Sequence, residues 1–208
     1  MNNVSDLRIR SLGIENYQTT FFRMQEFVLN RVPSDASEIW FVQHPAVYTQ
    51  GTACDSQTLV ASDIPIVKSD RGGQITYHGL GQVVMYTLLN IKDFGLTVKS
   101  LVNLLEESSI MTLAEYDIKG LRKEGAPGVY VDEKKIAALG LRFKRGMSYH
   151  GLSLNVDMDL RPFSNINPCG YKGLEVTQIN DIVASDKLIA NCEEVEHKLE
   201  KNFRTLLL

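Results

Sequence analysis

Two residues of this chain could share one piece of covalent chemistry. Cys169 stands in Asn167-Pro168-Cys169-Gly170-Tyr171-Lys172-Gly173, a stretch of turn-formers that predicts a loop open to substrates. Cysteine attacks as a thiolate, and a thiol with an ordinary pKa of about 8.5 is only partly ionised at neutral pH, so it needs a base or a cation beside it. Lys135 can be that partner. It opens Lys135-Ile136-Ala137-Ala138-Leu139-Gly140-Leu141-Arg142, an apolar run whose partial desolvation would favour the neutral amine. A thiolate and a lysine together suit acyl transfer. Spacing alone leaves Lys135 open to the plainer reading of a solvated surface lysine, as its neighbour Lys134 suggests.

The other nucleophile candidates are weaker. Cys192 falls on the apolar stripe of a C-terminal helix and Cys54 in a polar loop after Gly51, and free cysteines mostly pack as small hydrophobes. Among the histidines, His197 belongs to a charged helix face and His44 precedes Pro45, whereas His78 and His150 stand in segments that could meet Cys169 in space. A cysteine hydrolase built on Cys169 with His78 or His150 therefore stays open at this point. No His-x-x-x-His pair or acidic cluster points to a metal.

The segment most able to hold a substrate is Arg71-Gly72-Gly73-Gln74-Ile75-Thr76-Tyr77-His78-Gly79-Leu80-Gly81-Gln82. Its glycines let a ligand approach the main chain, Arg71 supplies a fixed cation, and Tyr77 and His78 supply bulk and hydrogen bonds. A glycine turn between two strands is the simpler alternative, yet four glycines so close together cost more chain entropy than a hairpin requires. No Gly-Lys-Ser/Thr follows, so this is not a phosphate-binding P-loop.

These segments need elements to carry them. Residues 17 to 32 place Phe21, Phe22, Gln25, Val28 and Val32 near a helical period and predict a helix ending before Pro33. Strands are predicted at residues 38–42, 47–49 and 64–67, the last edge-like because of Pro65. The nearly continuous apolar run of residues 83–89 suits a central strand buried on both faces. Thr97 can cap a helix carrying Leu101, Val102, Leu105, Ile110 and Leu113. Residues 128–131, 135–143 and 149–156 read as an antiparallel set with turns at Asp132-Glu133 and Arg145-Gly146. From Asp186 onward, Ile189, Cys192, Val195, Leu199, Phe203 and Leu206 form one helical stripe. The pattern is that of an α+β fold with helices against a mixed or mainly antiparallel sheet, with residues 1–208 as one domain.

Composition bounds the function. With 208 residues, 44% hydrophobic content and a net charge of -3, the chain has material for a filled core and lacks the basic excess that nucleic-acid binding requires. No apolar run is long enough to span a bilayer and the start lacks a signal-peptide layout, so a cytoplasmic protein without membrane partners is expected. Three cysteines without Cys-x-x-Cys spacing favour reduced thiols over a disulfide framework.

The chain resembles the lipoyl(octanoyl) transferase, or lipoate-protein ligase B, family over nearly its whole length. The resemblance rests on His44-Pro45 through Gly51, the Arg71 to Gln82 run, Gly128-Val129-Tyr130-Val131, Lys135 to Gly140, His150-Gly151-Leu152-Ser153-Leu154-Asn155 and Pro168-Cys169-Gly170. Leu80 stands where the family often has proline and Tyr130 where it often has tryptophan; neither touches the chemistry.

The resemblance implies the α+β fold of the biotin and lipoate protein ligase catalytic domains and transfer of octanoyl from octanoyl-acyl carrier protein to a lysine of lipoyl domains. These include those of 2-oxoacid dehydrogenase complexes and the glycine cleavage H protein. Cys169 would carry the acyl group and Lys135 would act as acid and then base, with no ATP or metal. Residues Arg71, Gly72, Gly73, Gln74, Ile75, Thr76, Tyr77 and His78, with Ala138, Leu139, Gly140, Gly151, Leu152 and Ser153, would line the acyl slot and offer backbone donors to the carbonyl oxygen. Burying the chain would gain roughly 4 to 5 kcal/mol. Both carriers are typically acidic, which makes Arg142, Lys144, Arg145, Arg161 and Lys172 docking candidates, and a monomer is expected. Two other readings remain: an ATP-dependent lipoate ligase, and a non-catalytic acyl or lipoyl-domain binding module.

Overall fold

A computed structural model describes residues 6–32, 34–54, 63–166, 175–183 and 189–208. The strands are β1 (Leu7–Ile14), β2 (Ser37–Gln43), β3 (Val47–Gln50), β4 (Ile66–Lys68), β5 (Ile75–His78), β6 (Gln82–Leu88), β7 (Val129–Val131), β8 (Lys134–Lys144) and β9 (Met147–Asn155). The helices are α1 (Tyr17–Asn30), α2 (Val98–Ala114), the short α3 (Ile179–Ile182) and α4 (Cys192–Leu207), with a 3-10 turn at Arg161–Asn165. Six strands make the main sheet in the order β1-β2-β6-β9-β8-β7, and β4-β3-β5 make a smaller one. Every pairing in the main sheet is antiparallel except β1 with β2, so the expected mainly antiparallel α+β architecture holds.

Side-chain alternation along the strands assigns the two faces. Ile39 and Phe41, Val83 and Met85, and Leu152 and Leu154 pack with α2 and α4 through Leu101, Leu105, Leu199 and Phe203. The intervening Trp40 and Val42, Val84, Tyr86 and Leu88, and Met147 and Tyr149 pack with Tyr17, Phe21, Met24 and Val28 of α1. A third cluster of Tyr48, Ile75, Tyr77, Phe163 and Ile166 joins the small sheet to the 3-10 turn. Two hairpins bring β7, β8 and β9 together. Asp132 and Glu133 have φ of 45° and 68°, and Arg145 and Gly146 have φ of 52° and 81°, so both turns have the handedness that matches strand twist. Thr97 caps α2 in a reciprocal capping box with Ser100. No helix among the described residues is long and apolar enough to cross a membrane.

Three expectations need correction. Strand β1 lies where no element was predicted; its inward side chains are half-buried, which weakens the alternation. The third predicted strand starts two residues later and ends one later, at Ile66–Lys68, because Pro65 contributes its carbonyl to Tyr48 N–H and no donor of its own. The C-terminal helix begins at Cys192, with Asn191 as its cap, so Ile189 is 70% exposed and takes no part in the stripe; Leu206, near its end, is exposed too.

Candidate active site

An apolar slot, partly open to solvent, lies between the glycine-rich segment and strands β8 and β9. Arg71, Gly73, Gln74, Ile75, Thr76 and His78 line one wall, as expected from the sequence. Lys135, Ala138, Leu139 and Gly140 of β8 and Gly151, Leu152 and Ser153 of β9 line the other. Gly72 and Tyr77 were expected here and stand outside the described lining. The Gly72 N–H donates to Leu141 O at 2.9 Å, docking the loop on the edge of β8, and the Tyr77 ring packs 5.6 Å from Tyr48 and 5.4 Å from Phe163. Cys169 lies outside the described residues, as does Lys172.

Small residues make room for this arrangement. A Cβ on Gly140 would stand 3.0 Å from Arg71 Cδ and 3.1 Å from Gly72 O, so the loop can lie against β8 only where a side chain is missing. Gly151 is tighter, since its Cβ would fall 2.0 Å from Met85 O. The backbone donors are distributed unequally. Because Leu141 C=O points outward to Gly72, strand alternation turns the peptide groups of Ala138 and Gly140 inward to pair with Ser153 and Gly151, while β9 is also paired on its other side to β6. Of the backbone donors expected from β8 and β9, only Leu139 N–H faces the outer edge.

A directed chain of hydrogen bonds crosses the site. Arg71 is buried; its Nε and Nη2 donate to Thr49 Oγ1 at 3.1 and 3.0 Å, and further bonds reach the carbonyls of Thr49, Gly72 and Gln74. Arg71 therefore shapes the loop with the fork geometry that lysine lacks. Thr49 Oγ1 in turn lies 3.5 Å from His78 Nε2, the His78 Nδ1–H donates to Gln82 Oε1 at 2.7 Å, and Gln82 Nε2 donates to Asn155 Oδ1 at 2.9 Å. Asn155 Nδ2 donates to Thr177 O, and Thr177 N–H donates to Lys135 O. Burial, with His44 and Arg71 nearby, pushes the His78 imidazole down to about 3, so it stays neutral and its two nitrogens keep opposite roles. With both nitrogens so engaged, His78 serves as scaffold rather than as the base of a cysteine hydrolase.

Lys135 is 4% exposed although it is a lysine at the start of a strand. Its Nζ donates to Pro127 O at 3.1 Å and lies 5.2 Å from the centre of the Tyr130 ring. Gly128 makes that course possible: at φ 139° it has no Cβ to meet Lys135 Cε at 3.0 Å or Ala137 O at 2.7 Å. Glu106 of α2 holds the same turn by accepting Gly128 N–H at 2.9 Å while pairing with Arg122 at 3.0 Å. Arg142 and Lys144 are exposed, but Arg142 also bonds to Tyr149; Arg161 is paired with Asp159, and Arg145 donates to Leu29 O, so the expected docking cations are not equally free.

Tyr17, Tyr86 and His44, which sequence reasoning did not place in the site, close it against α1 together with His150, which it had weighed as a partner of Cys169. Tyr17 and Tyr86 line the slot, and Tyr17 stacks on His78 at 5.8 Å. His44 Nδ1–H donates to Glu15 O at 2.6 Å and its Nε2 accepts Tyr86 O–H at 2.7 Å; burial lowers its pKa to about 4. His150 also lines the slot, with Nε2 2.9 Å from Asp70 Oδ1. Although burial opposes ionisation of Asp70, bonds from His150, Tyr149 and Gln25 hold its carboxylate at about 2. Cys192 packs against the α2–α4 core and burial raises its thiol to about 11, which suits a structural residue; Cys54 packs against the third cluster. No group of three His, Cys, Asp or Glu among the described residues is placed to hold a metal.

Comparison with known proteins adds to this geometry. The family model for the lipoyl protein ligase A/B catalytic domain matches residues 18–204. The chain is 53% identical over 207 residues to an octanoyltransferase of Mannheimia succiniciproducens, covering 97% of this chain and 93% of that one. It is 52% identical over 209 residues to an octanoyltransferase of Haemophilus influenzae, covering 100% and 97%. Among solved structures it is similar to lipoate-protein ligase A bound with ATP, at a TM-score of 0.77 and 18% identity over 97% of this chain and 85% of that one. The biotin protein ligase of Aquifex aeolicus in complex with biotin and ATP matches at a TM-score of 0.61 and 19% identity, over 97% of this chain and 70% of that one. These two likenesses concern the fold.

Proposed function

The chain belongs to the lipoyl protein ligase A/B catalytic domain family, and from its likeness to octanoyltransferases we propose that it moves an octanoyl group from octanoyl-acyl carrier protein to a lysine of a lipoyl domain, through a thioester on Cys169. The observation that carries this reading is a buried lysine, Lys135, on the wall of a mainly apolar slot. ATP has no part in the scheme.

The Cys169 thiolate attacks the carbonyl carbon of the donor thioester and forms a new carbon–sulfur bond. The bond to the pantetheine sulfur breaks, and the Lys135 ammonium gives that sulfur its proton. The resulting thioester is close in energy to the donor. An acceptor lysine amine then attacks the same carbon, Lys135 takes the proton it releases, and Cys169 departs as thiolate. The second step is downhill because an amide is more stable than a thioester. The carriers we propose are acyl carrier protein, lipoyl domains of 2-oxoacid dehydrogenase complexes and the glycine cleavage H protein, met in the cytoplasm by a monomer.

Intact-protein mass after mixing with octanoyl-acyl carrier protein alone tests the scheme. An octanoyl adduct that maps to Cys169, is discharged by a lipoyl domain and is absent from Cys169→Ala is the expected result. Lipoyl-domain modification that requires ATP, or that survives in Cys169→Ala, would overturn it in favour of a ligase or a direct transfer.

A further inference from the structure

His150 has a backbone conformation that its residue type rarely adopts. Its φ is 58°, and a non-glycine residue persists there only where its surroundings hold it. The consequence is a break in strand alternation. Tyr149 faces α1, and His150, which should face α2 and α4, turns to the same side and stacks on Tyr149 at 5.0 Å and on Phe21 at 5.4 Å. Its ring also stands edge-on to Tyr86 at 6.1 Å.

The ring is oriented as well as placed. Asp70 is acceptor only, so the His150 Nε2–H donates to it, and the second Asp70 oxygen accepts Tyr149 O–H and Gln25. That fixes Nδ1 as the bare acceptor. His150 is 1% exposed, and its Nδ1 is buried without a hydrogen-bond partner among the described residues.

The register locates this ring along the slot. Leu141 pairs with His150 and lies six residues along β8 from Lys135. Six residues of strand span about 20 Å. The seven carbon–carbon bonds of an octanoyl group span about 9 Å when extended, taking tetrahedral carbons at about 1.25 Å per bond. About 11 Å then remains for the thioester at the Lys135 end and the His150 ring at the other. Arg71 and Gly72 press on Gly140 and Leu141 over that end, and Tyr86 closes it from β6.

We propose that His150 is the stop of the acyl slot and the residue that limits acyl-chain length, an inference that rests on the octanoyl-transfer reading. Up to the stop, each added methylene strengthens binding by about fourfold. A longer chain drives methylenes against the ring and the bare Nδ1, where they can offer no donor, so the gain ends.

The test is a series of acyl-acyl carrier proteins from six to fourteen carbons, with kcat and KM measured separately. His150→Asn shortens the side chain while tolerating positive φ, and His150→Gly removes it without strain. Either folded variant should raise the dodecanoyl-to-octanoyl ratio of kcat/KM at least tenfold, mainly through KM. A uniform fall across all lengths would overturn the inference. The wild type gives a readout independent of any variant: loading with octanoyl should shift the nitrogen-15 resonance of His150 Nδ1, and an unmoved resonance would also overturn it. Wild-type protein that transfers no acyl chain would refute octanoyl transfer itself, whereas transfer without a limit near eight carbons would refute only the role of His150.

Discussion

Glu106 and Lys135 are joined through a single peptide unit. The Glu106 carboxylate accepts Gly128 N–H at 2.9 Å, and Pro127 C=O, in the same peptide unit, accepts Lys135 Nζ at 3.1 Å. A helix on one face of the sheet thereby positions the amine on the slot wall.

Glu106→Ala should release that peptide and leave Arg122 without its buried partner. We expect a stability loss of about 2 to 3 kcal/mol, toward the low end for breaking a buried pair because Arg122 is partly solvated. Transfer should fall about tenfold at saturating substrate, with the pH profile of kcat displaced. Glu106→Gln retains an acceptor for Gly128 and should recover most of the rate. Equal kinetics for both variants and the wild type would show that the turn does not need this carboxylate.

Gly128→Ala tests the same cradle from the backbone. The new Cβ would collide with Ala137 O and the Lys135 side chain at a φ of 139°, so Lys135 must move. Activity should fall by more than stability does, with a single-turnover acylation rate reduced at least a hundredfold beside a thermal melt lowered by a few degrees.

Lys135→Met keeps the volume and removes the charge. Burial of a neutral chain is no burden, so the melting temperature should hold or rise. Both half-reactions, acylation by the donor and discharge to the lipoyl domain, should slow about 100-fold or more if the amine carries protons in each. Slowing of only one would restrict Lys135 to that step.

The buried histidines predict acid sensitivity. His44 and His78 titrate at about 4 and about 3 in the folded chain against about 6.5 when unfolded, so between these values the unfolded chain holds protons that the native chain does not. Their contribution is present above pH 6.5 and is lost as pH falls toward 4. Two such groups give a slope of about 2.7 kcal/mol per pH unit at its steepest. Asp70, held at about 2, adds a further loss in the same direction below its ordinary range. Urea unfolding at pH 7.5, 6.0 and 5.0 should show the decline; a flat profile would mean that the imidazoles become solvated before the fold opens.

Local rules explain what the sequence disclosed. The capping box at Thr97, the unbroken apolar run of β6 and the hairpin turns before β8 and β9 depend on near neighbours, and each lies within a residue or two of its predicted place. The glycine segment was legible because a glycine cluster is unusual in itself, whereas spacing alone left Lys135 open and the family resemblance singled it out. The wall built by Tyr17 and Tyr86 was not, because it depends on α1 packing over β6 and β9. Nor does any local signal mark His150 for a positive φ, since neither glycine nor asparagine stands there. Strand β1 escaped notice for a related reason: its partner β2 is parallel and is reached through α1.

The pairing of β6 with β9 joins residues 82–86 to residues 151–155, with α2 and the β7–β8 hairpin between them in the chain. The β8–β9 wall therefore joins β6, the strand that follows the glycine-rich segment, only after a long loop closes. Such non-local closure slows folding and comes after the hairpins have formed. A nascent chain can fold its hairpins early and still have no slot, so on the proposed scheme thioester chemistry waits until the sheet is joined across its middle.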